Sequence, residues 1–146
     1  MAGINTESVQ RLYVAYFNRP ADPVSLATYE AMLPTDRLAT QAELEEIANT
    51  YFSPSAEYTA NYSGLSNAGI VNQLYLNIFG REAEPDGLIH WAGQLTSGAQ
   101  TVASIALQLS YSAQGTDAVV VANRIAASVA FTGGLDTSAE FTGFSG

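Results

Sequence analysis

The sequence predicts an all-α protein of six to seven short helices, arranged as two internally repeated helix-turn-helix halves that share one core. Between residues 70 and 79 the apolar side chains recur every three to four residues, which is helical spacing rather than strand alternation. Gly80 then ends this helix, and Pro85 begins a second one after an acidic turn. The same pattern occurs earlier in the chain at a constant offset of 62 residues.

The two copies of this pattern are Val9–Tyr29 and Ile70–Trp91. They match without a gap at seven positions, pairing Leu12 with Leu74, Tyr13 with Tyr75, Phe17 with Phe79, Arg19 with Arg81, Pro23 with Pro85, Leu26 with Leu88 and Tyr29 with Trp91. So many matches at a single offset indicate an internal duplication.

Start and stop signals place the helices of the first half. Thr6 is expected to cap the first helix. Asp22 and Pro23 begin the second helix, which is expected to run through Leu26, Tyr29 and Leu33 and to end at Pro34. The third begins at a capping box, Thr40 to Glu43, and is expected to bury Leu44, Ile47, Ala48 and Tyr51.

A connector over residues 53–67, with one short helical turn around Glu57, joins the halves. Gly98 closes the second hairpin, and Val102, Ile105 and Leu109 mark the next helix. The segment from Ala118 to Phe131 is nearly uncharged, so we expect it to run through the centre of the core and to end at Gly133 and Gly134. The domain organisation is then a single domain, 1–146, with repeat one at about 6–58, repeat two at about 67–116, a final core helix at about 117–132, and a tail over 133–146 that leads to a linker.

Composition excludes several classes of protein. The net charge is −9, and the five basic residues are all arginines scattered along the chain, which argues against a nucleic-acid surface. The absence of cysteine excludes disulfides, cysteine zinc sites and a thiol nucleophile. There is no Sec-type signal sequence and no apolar run long enough to span a membrane.

The repeated motif resembles a helical domain without an assigned function that recurs in bacterial S-layer and RTX-type surface proteins exported by type I secretion. The shared residues are Leu74-Tyr75, Phe79-Gly80-Arg81, Pro85-Asp86-Gly87-Leu88 and Trp91, and the resemblance covers roughly residues 9–131. The first copy departs from it, with Asn18 for the glycine, Val24-Ser25 for Asp86-Gly87, and Tyr29 for the tryptophan.

This resemblance implies a non-enzymatic domain at the N-terminus of an exported protein, located at the cell surface. It would anchor that protein to the outer membrane by binding lipopolysaccharide or another envelope polysaccharide, with calcium as a possible cofactor. The alternative is homotypic self-assembly into a surface lattice or filament without a glycan. A third reading is an intracellular scaffold, because the motif is also faintly similar to phycobilisome linker domains, but those are normally basic.

The acidic turn is the first candidate site. Glu82, Glu84 and Asp86 stand at alternate positions before Gly87, as do the first three ligands of an EF-hand calcium loop. The twelfth position, however, is Gly93 rather than glutamate, and Pro85 lies inside the loop. The competing interpretation is that Glu84 and Asp86 cap the following helix.

Arginines and tyrosines are the candidates for glycan binding. Arg19 and Arg81 occupy equivalent places after the first helix of each half, where they can pair with a carboxylate or helix carbonyls, or orient an anionic or hydroxyl-rich sugar group. Tyr58, Tyr62 and Tyr111 are expected in or beside connectors and hence available to a sugar. Core-facing Trp91, Tyr75 and Tyr13 are expected to be buried, and His90, the single histidine, to lie on a helix surface.

Overall fold

The computed structural model describes residues 3–135, and within that range the fold is entirely helical, with no strand. Eight α-helices follow one another: α1 (Thr6–Phe17), α2 (Pro23–Glu30), α3 (Gln41–Ile47), α4 (Ala56–Tyr62), α5 (Asn67–Phe79), α6 (Pro85–Ser97), α7 (Val102–Ser112) and α8 (Gly115–Gly134). A π-helical segment, Ala48–Phe52, continues α3. The all-α prediction is confirmed, with one helix more than expected. No helix in the described range has the length and apolarity needed to cross a membrane.

Most of the predicted helix starts are confirmed. The side chain of Asp22 accepts a hydrogen bond from the Ser25 backbone at 3.0 Å, and Thr40 forms the full capping box with Glu43. The expected cap at Thr6 is wrong, because Thr6 is the first helical residue and Asn5 precedes it as the N-cap. Asn5 is almost fully buried, and its amide instead bonds the backbone of the loop between α2 and α3.

The predicted helix ends depend on left-handed residues. Gly80 ends α5 at φ 71° and Gly98 ends α6 at φ 78°, both as predicted. Asn18, at the position equivalent to Gly80, also takes the left-handed conformation at φ 53°. Asparagine tolerates this region better than most residues, so the first hairpin keeps the same helix stop without glycine.

The core forms where α1, α5 and α7 pack together, with α3 and α8 against them. Its fully buried side chains come mainly from these elements and include Leu12, Tyr16, Leu44, Phe52, Leu74, Ile78, Ile105 and Leu107. Tyr13 and Tyr75 are buried, as predicted. The second helix of each hairpin, α2 or α6, has no fully buried residue and covers the core from outside.

Three predictions about packing are wrong. The last helix does not run through the core: α8 buries one face, including Val121 and Ile125, and leaves Val119 58% exposed on another. The low charge content of this segment predicted burial. Its exposed face is rich in alanine, which is also uncharged, so charge alone could not distinguish the two cases. In addition, α2 ends at Glu30, before the buried Leu33, rather than at Pro34, whereas α8 ends at Gly134, as predicted.

The third error concerns Tyr51, which was expected inside and is 45% exposed. The cause is the π-helical segment. Its wider turn inserts one extra residue into the helical repeat, so that Phe52, at 1% exposure, takes the inward position. The tail beyond Leu135 lies outside the described residues.

Several contacts recur at the predicted offset. The Ala21 amide donates to the Gln10 side chain at 2.9 Å, and the Ala83 amide donates to the Asn72 side chain at 2.8 Å. Each of these bonds holds the turn between the two helices of a hairpin against the first helix. Such equivalent contacts favour the duplication, although superposable halves remain a prediction.

We predict that Gly80→Ala destabilises the protein more than Gly98→Ala. Both substitutions force an alanine into the left-handed region, at a cost of roughly 1 kcal/mol. At Gly80 the new Cβ would also lie 2.8 Å from Nη2 of Arg124, whereas nothing lies within 4 Å at Gly98. Urea unfolding measures both differences in the free energy of unfolding.

Gly93→Ala is the matched control. Gly93 lies inside α6 with open space around its Cα, so alanine should stabilise the protein by about 0.5–1 kcal/mol. If Gly80→Ala and Gly98→Ala lower the free energy of unfolding equally, that result would contradict the proposed clash with Arg124.

Candidate functional site

A groove lies between the C-terminal end of α1, α4 and α5, and encloses a cavity of about 270 Å³. Its lining combines aromatic rings with four carboxamide side chains and contains no charged group: Tyr16, Phe17, Asn18, Asn61, Tyr62, Gln73 and Asn77. Asn18 and Asn61 are exposed at its edge, whereas Tyr16, Tyr62 and Asn77 are buried beneath it. The volume lies just below that of a typical pocket for a drug-sized ligand, so a small group such as one sugar ring fits it.

The floor of the groove is a hydrogen-bonded network centred on Asn77. Its amide donates to the Ala15 carbonyl at 2.9 Å and to the Tyr62 hydroxyl at 3.2 Å. The Tyr62 hydroxyl in turn donates to the Tyr16 carbonyl. Gln73, one helical turn earlier on the same face of α5, donates to the Asn77 oxygen at 2.8 Å. The buried groups are thus paired and fixed before any ligand arrives.

The phenols beneath the groove stay neutral over the physiological pH range. Burial raises the pKa of Tyr62 and also that of Tyr16 well above the ordinary value. Since the lining contains no other titratable side chain, the groove keeps one charge state from acid to mildly alkaline pH. It presents only uncharged donors and acceptors together with aromatic faces and edges.

The two predicted glycan-binding arginines each form a bidentate pair with a carboxylate. Arg19 contacts Glu57 at 2.9 and 2.7 Å, and Arg81 contacts Asp117 at 3.1 and 2.7 Å. Both guanidinium groups also lie over the rings of their own hairpin, with Arg19 5.0 Å from the Tyr13 centroid. These contacts fit the carboxylate-pairing interpretation. Hydrogen bonding to Arg81 lowers the pKa of Asp117.

The predicted tyrosines do not share one site. Tyr58 stacks on Tyr62 with ring centroids 4.5 Å apart, and both belong to α4 rather than to a connector. Tyr62 is only 3% exposed, so it supports the groove from below. Tyr111, at 41% exposure, lies near the end of α7 with the Arg11 guanidinium 4.0 Å above its ring, and is not part of the groove lining.

The acidic turn does not gather its carboxylates around one point. Glu82, Glu84 and Asp86 are all exposed, and Glu84 lies 3.9 Å from Arg81. Between residues 3 and 135 there is no group of three or more histidine, cysteine or acidic side chains placed to hold a metal ion. Glu84 is the N-cap residue of α6 but makes no side-chain capping bond. His90, as predicted, is exposed on α6.

Sequence reasoning missed the four amides of the groove. Asn18, Asn61, Gln73 and Asn77 form no motif and come from three helices that meet only in the fold. The one available signal was the spacing of Gln73 and Asn77, which are four residues apart and so lie on one face of the helix. Buried polar groups at such spacing indicate a network rather than packing.

We predict that Asp117→Asn lowers the free energy of unfolding by about 0.5–1 kcal/mol at pH 7, the range for a partly exposed ion pair. Because the folded pKa of Asp117 lies below its ordinary value of 3.8, this stability is present above that pH and is lost as the pH falls through the lowered pKa. The difference in the free energy of unfolding between Asp117→Asn and wild type should therefore decrease at acid pH. Denaturation at several pH values tests this, with the exposed Glu82→Gln as a control expected to change little; a constant difference would contradict the assignment.

Comparison with known proteins places a family match in the second half of the fold. Residues 49–117 match a domain family described as Domain of unknown function (DUF4214). The match begins in the π-helical segment and extends to the start of α8, so it includes the copy Ile70–Trp91 and leaves out Val9–Tyr29. It carries no link to S-layer or RTX proteins. Searches of curated proteins and of solved structures each found no match.

Proposed function

We propose that this protein is a non-enzymatic carbohydrate-binding domain of an exported bacterial surface protein, and that it attaches that protein to lipopolysaccharide or another envelope polysaccharide through the groove between α1, α4 and α5. The observation that carries the proposal is the uncharged lining of the groove, with four carboxamides beside aromatic rings. The surface location rests on the resemblance of the repeated motif to S-layer and RTX-type proteins.

The chemistry of the lining suits sugar hydroxyls. Each carboxamide offers two donors and an acceptor, and a hydroxyl group both donates and accepts. Phe17, the aromatic residue of the lining that is not buried, supplies the apolar contact that the CH groups of a pyranose ring require. Asn18 and Asn61 stand exposed to meet the ligand, while Gln73 and Asn77 are already held in place. Because these groups need little ordering on binding, less of the interaction energy is lost to entropy.

Calcium would act at the acidic turn rather than in the groove. Glu82, Glu84 and Asp86 are exposed but do not converge, so in this proposal an ion would bind one of these carboxylates and take its remaining oxygens from anionic groups of the envelope. In this proposal calcium strengthens attachment to lipopolysaccharide and has little effect on a neutral oligosaccharide.

We predict that Asn61→Ala weakens binding of purified O-polysaccharide about threefold to tenfold, the effect of losing one neutral hydrogen bond. Alanine favours the helix, so α4 should remain folded. Isothermal titration calorimetry, with calcium and with a chelator, measures the affinities against a panel of neutral bacterial polysaccharides.

Asn49→Ala is the matched control, since Asn49 is exposed in the π-helical segment away from the groove. Its affinity should equal that of wild type. If the wild-type protein binds none of the polysaccharides, the proposed function is overturned. If both variants lose affinity equally, the groove is not the binding site.

Homotypic self-assembly is the second candidate, and the observation that favours it is the surface of α6. This helix has no fully buried residue, and its Ile89 is 72% exposed. Trp91, which was expected to be buried, is only half-buried and packs against the core. A large apolar side chain this exposed on an outer helix suits a protein interface.

We expect that, if α6 mediates assembly, Ile89→Glu abolishes it because a carboxylate would be buried without a partner. Sedimentation velocity over a concentration series measures the oligomeric state. Val119→Glu on α8, at a site of similar exposure, should leave assembly unchanged. A wild-type chain that stays monomeric throughout the series would eliminate this candidate.

A further inference from the structure

A second cavity, of about 280 Å³, lies beside the groove on the other side of Asn18, which lines both. It forms between the end of α1, the turn that follows it, and α8. Its surface is mostly apolar, with Val14, Pro20 and Ala127 among its lining, but two guanidinium groups border it, those of Arg19 and Arg124. A pocket with apolar walls and fixed cations suits an anionic group attached to a less polar body.

Arg124 is held at the boundary between the two cavities. Its Nη1 donates to the Asn18 side chain at 3.0 Å and to the Asn77 carbonyl at 3.1 Å. Its Nη2 lies so close to Gly80 that a Cβ there would be 2.8 Å away. The guanidinium therefore sits at the C-terminal ends of both α1 and α5, in contact with the Asn18 side chain and with the backbone carbonyl of Asn77.

The charge of Arg124 is not neutralised by a carboxylate, in contrast to the charges of three of the other four arginines. Arg19, Arg37 and Arg81 each form an ion pair with a carboxylate. Among residues 3–135, no carboxylate lies within ion-pair distance of Arg124. Because the chain has a net charge of −9, a cation on the rim of a polar groove has the opposite sign to the charge of the protein as a whole.

We propose that Arg124 is a specificity-determining residue that binds a carboxylate or phosphate group on the same glycan whose neutral sugar occupies the groove. This inference rests on the proposed function and narrows its ligand to an acidic polysaccharide. Nη1 already bonds Asn18 and Asn77, so the donors left for an anion are those of Nη2 and Nε.

The charge of the whole protein limits which acidic glycans qualify. Fourteen acidic residues repel a densely charged polyanion, whereas one anionic group per repeating unit meets the Arg124 site with little repulsion from the rest of the surface. The ligand class is therefore a sparsely charged acidic polysaccharide, with the charge on a sugar adjacent to the bound ring.

If Arg124 had only a structural role, a different experimental result would be expected. A cation at helix C-termini stabilises the fold through the helix dipoles and the last carbonyls. If that were its only role, replacing Arg124 would alter stability, and binding of acidic and neutral sugars would change together. The ratio of the two affinities is the quantity that distinguishes the roles.

The test uses two matched pairs of probes on the intact wild-type chain. The first pair is a partly methyl-esterified oligogalacturonate, in which a minority of residues keep a free carboxylate, and its fully methyl-esterified form; the second is a phosphorylated mannan and the same mannan after phosphatase treatment. We expect wild type to bind the acidic member of one pair at least tenfold more tightly than its neutral counterpart, as a charged hydrogen bond would give. The pair that shows the preference identifies carboxylate or phosphate as the recognised group.

Arg124→Gln should lower the ratio of acidic to neutral affinity at least tenfold, and Arg124→Lys should retain part of the preference. Arg37→Gln, which removes an exposed arginine elsewhere, should retain all of this preference.

Equal wild-type affinity for both members of both pairs would overturn the inference and leave the proposed function standing. Failure of wild type to bind any of the four probes would count against both. Since the wild-type comparison needs no substitution, the inference stays testable even if Arg124→Gln fails to fold.

Discussion

The fold depends on how α1 and α5 are joined at their C-terminal ends. The carbonyls of the last turn of a helix have no partner within that helix. In α1 the carbonyls of Ala15 and Tyr16 are met by the buried amide of Asn77 and the hydroxyl of Tyr62, which come from α5 and α4. An apolar residue at position 77 would pack equally well but would leave those carbonyls unpaired in the core. The same contacts form the floor of the groove, so the stability of the core and the shape of the site have a common origin.

Two arginine–carboxylate pairs also connect the ends of α1 and α5 to other helices, nearer the surface. Arg19 joins the end of α1 to Glu57, the second residue of α4, and Arg81 joins the end of α5 to Asp117, in the first turn of α8. An acid at the start of a helix is favoured by the helix dipole, and its pairing with an arginine adds a bidentate contact. Each hairpin is thereby tied to a later helix, which explains why arginine occupies the equivalent position in both copies without direct reference to a ligand.

In the proposed function, the groove and the neighbouring cavity would divide recognition between uncharged and charged groups. Amides and rings offer an environment whose charge is constant from acid to mildly alkaline pH, and the Arg124 guanidinium at their boundary would add selectivity for a negative group. Such an arrangement suits attachment to a polymer, because many weak contacts along the chain can sum to a strong attachment. Ile89, the exposed apolar side chain on α6, lies on a different helix, so the proposed glycan binding and self-association would not compete for the same residues.

The sequence by itself determined the helices and the places where they stop. Periodic apolar residues, the Asp22 and Thr40 caps, and the left-handed stops at Gly80 and Gly98 act within a few residues, so local chemistry is sufficient to place them. What the sequence did not determine was the packing of α8 and the direction of Tyr51. Small residues such as alanine suit either a core or an exposed face, and a π-helical turn shifts the register without an obvious signal.

The groove was decided only by the tertiary structure. Asn61 and Asn77 are sixteen residues apart and Asn18 is more distant still, and no local pattern distinguishes them from ordinary surface amides. Their role follows from which helix ends meet, and that depends on long-range packing of α1 against α5. Local interactions determined the elements, and the burial of those elements against one another determined the site.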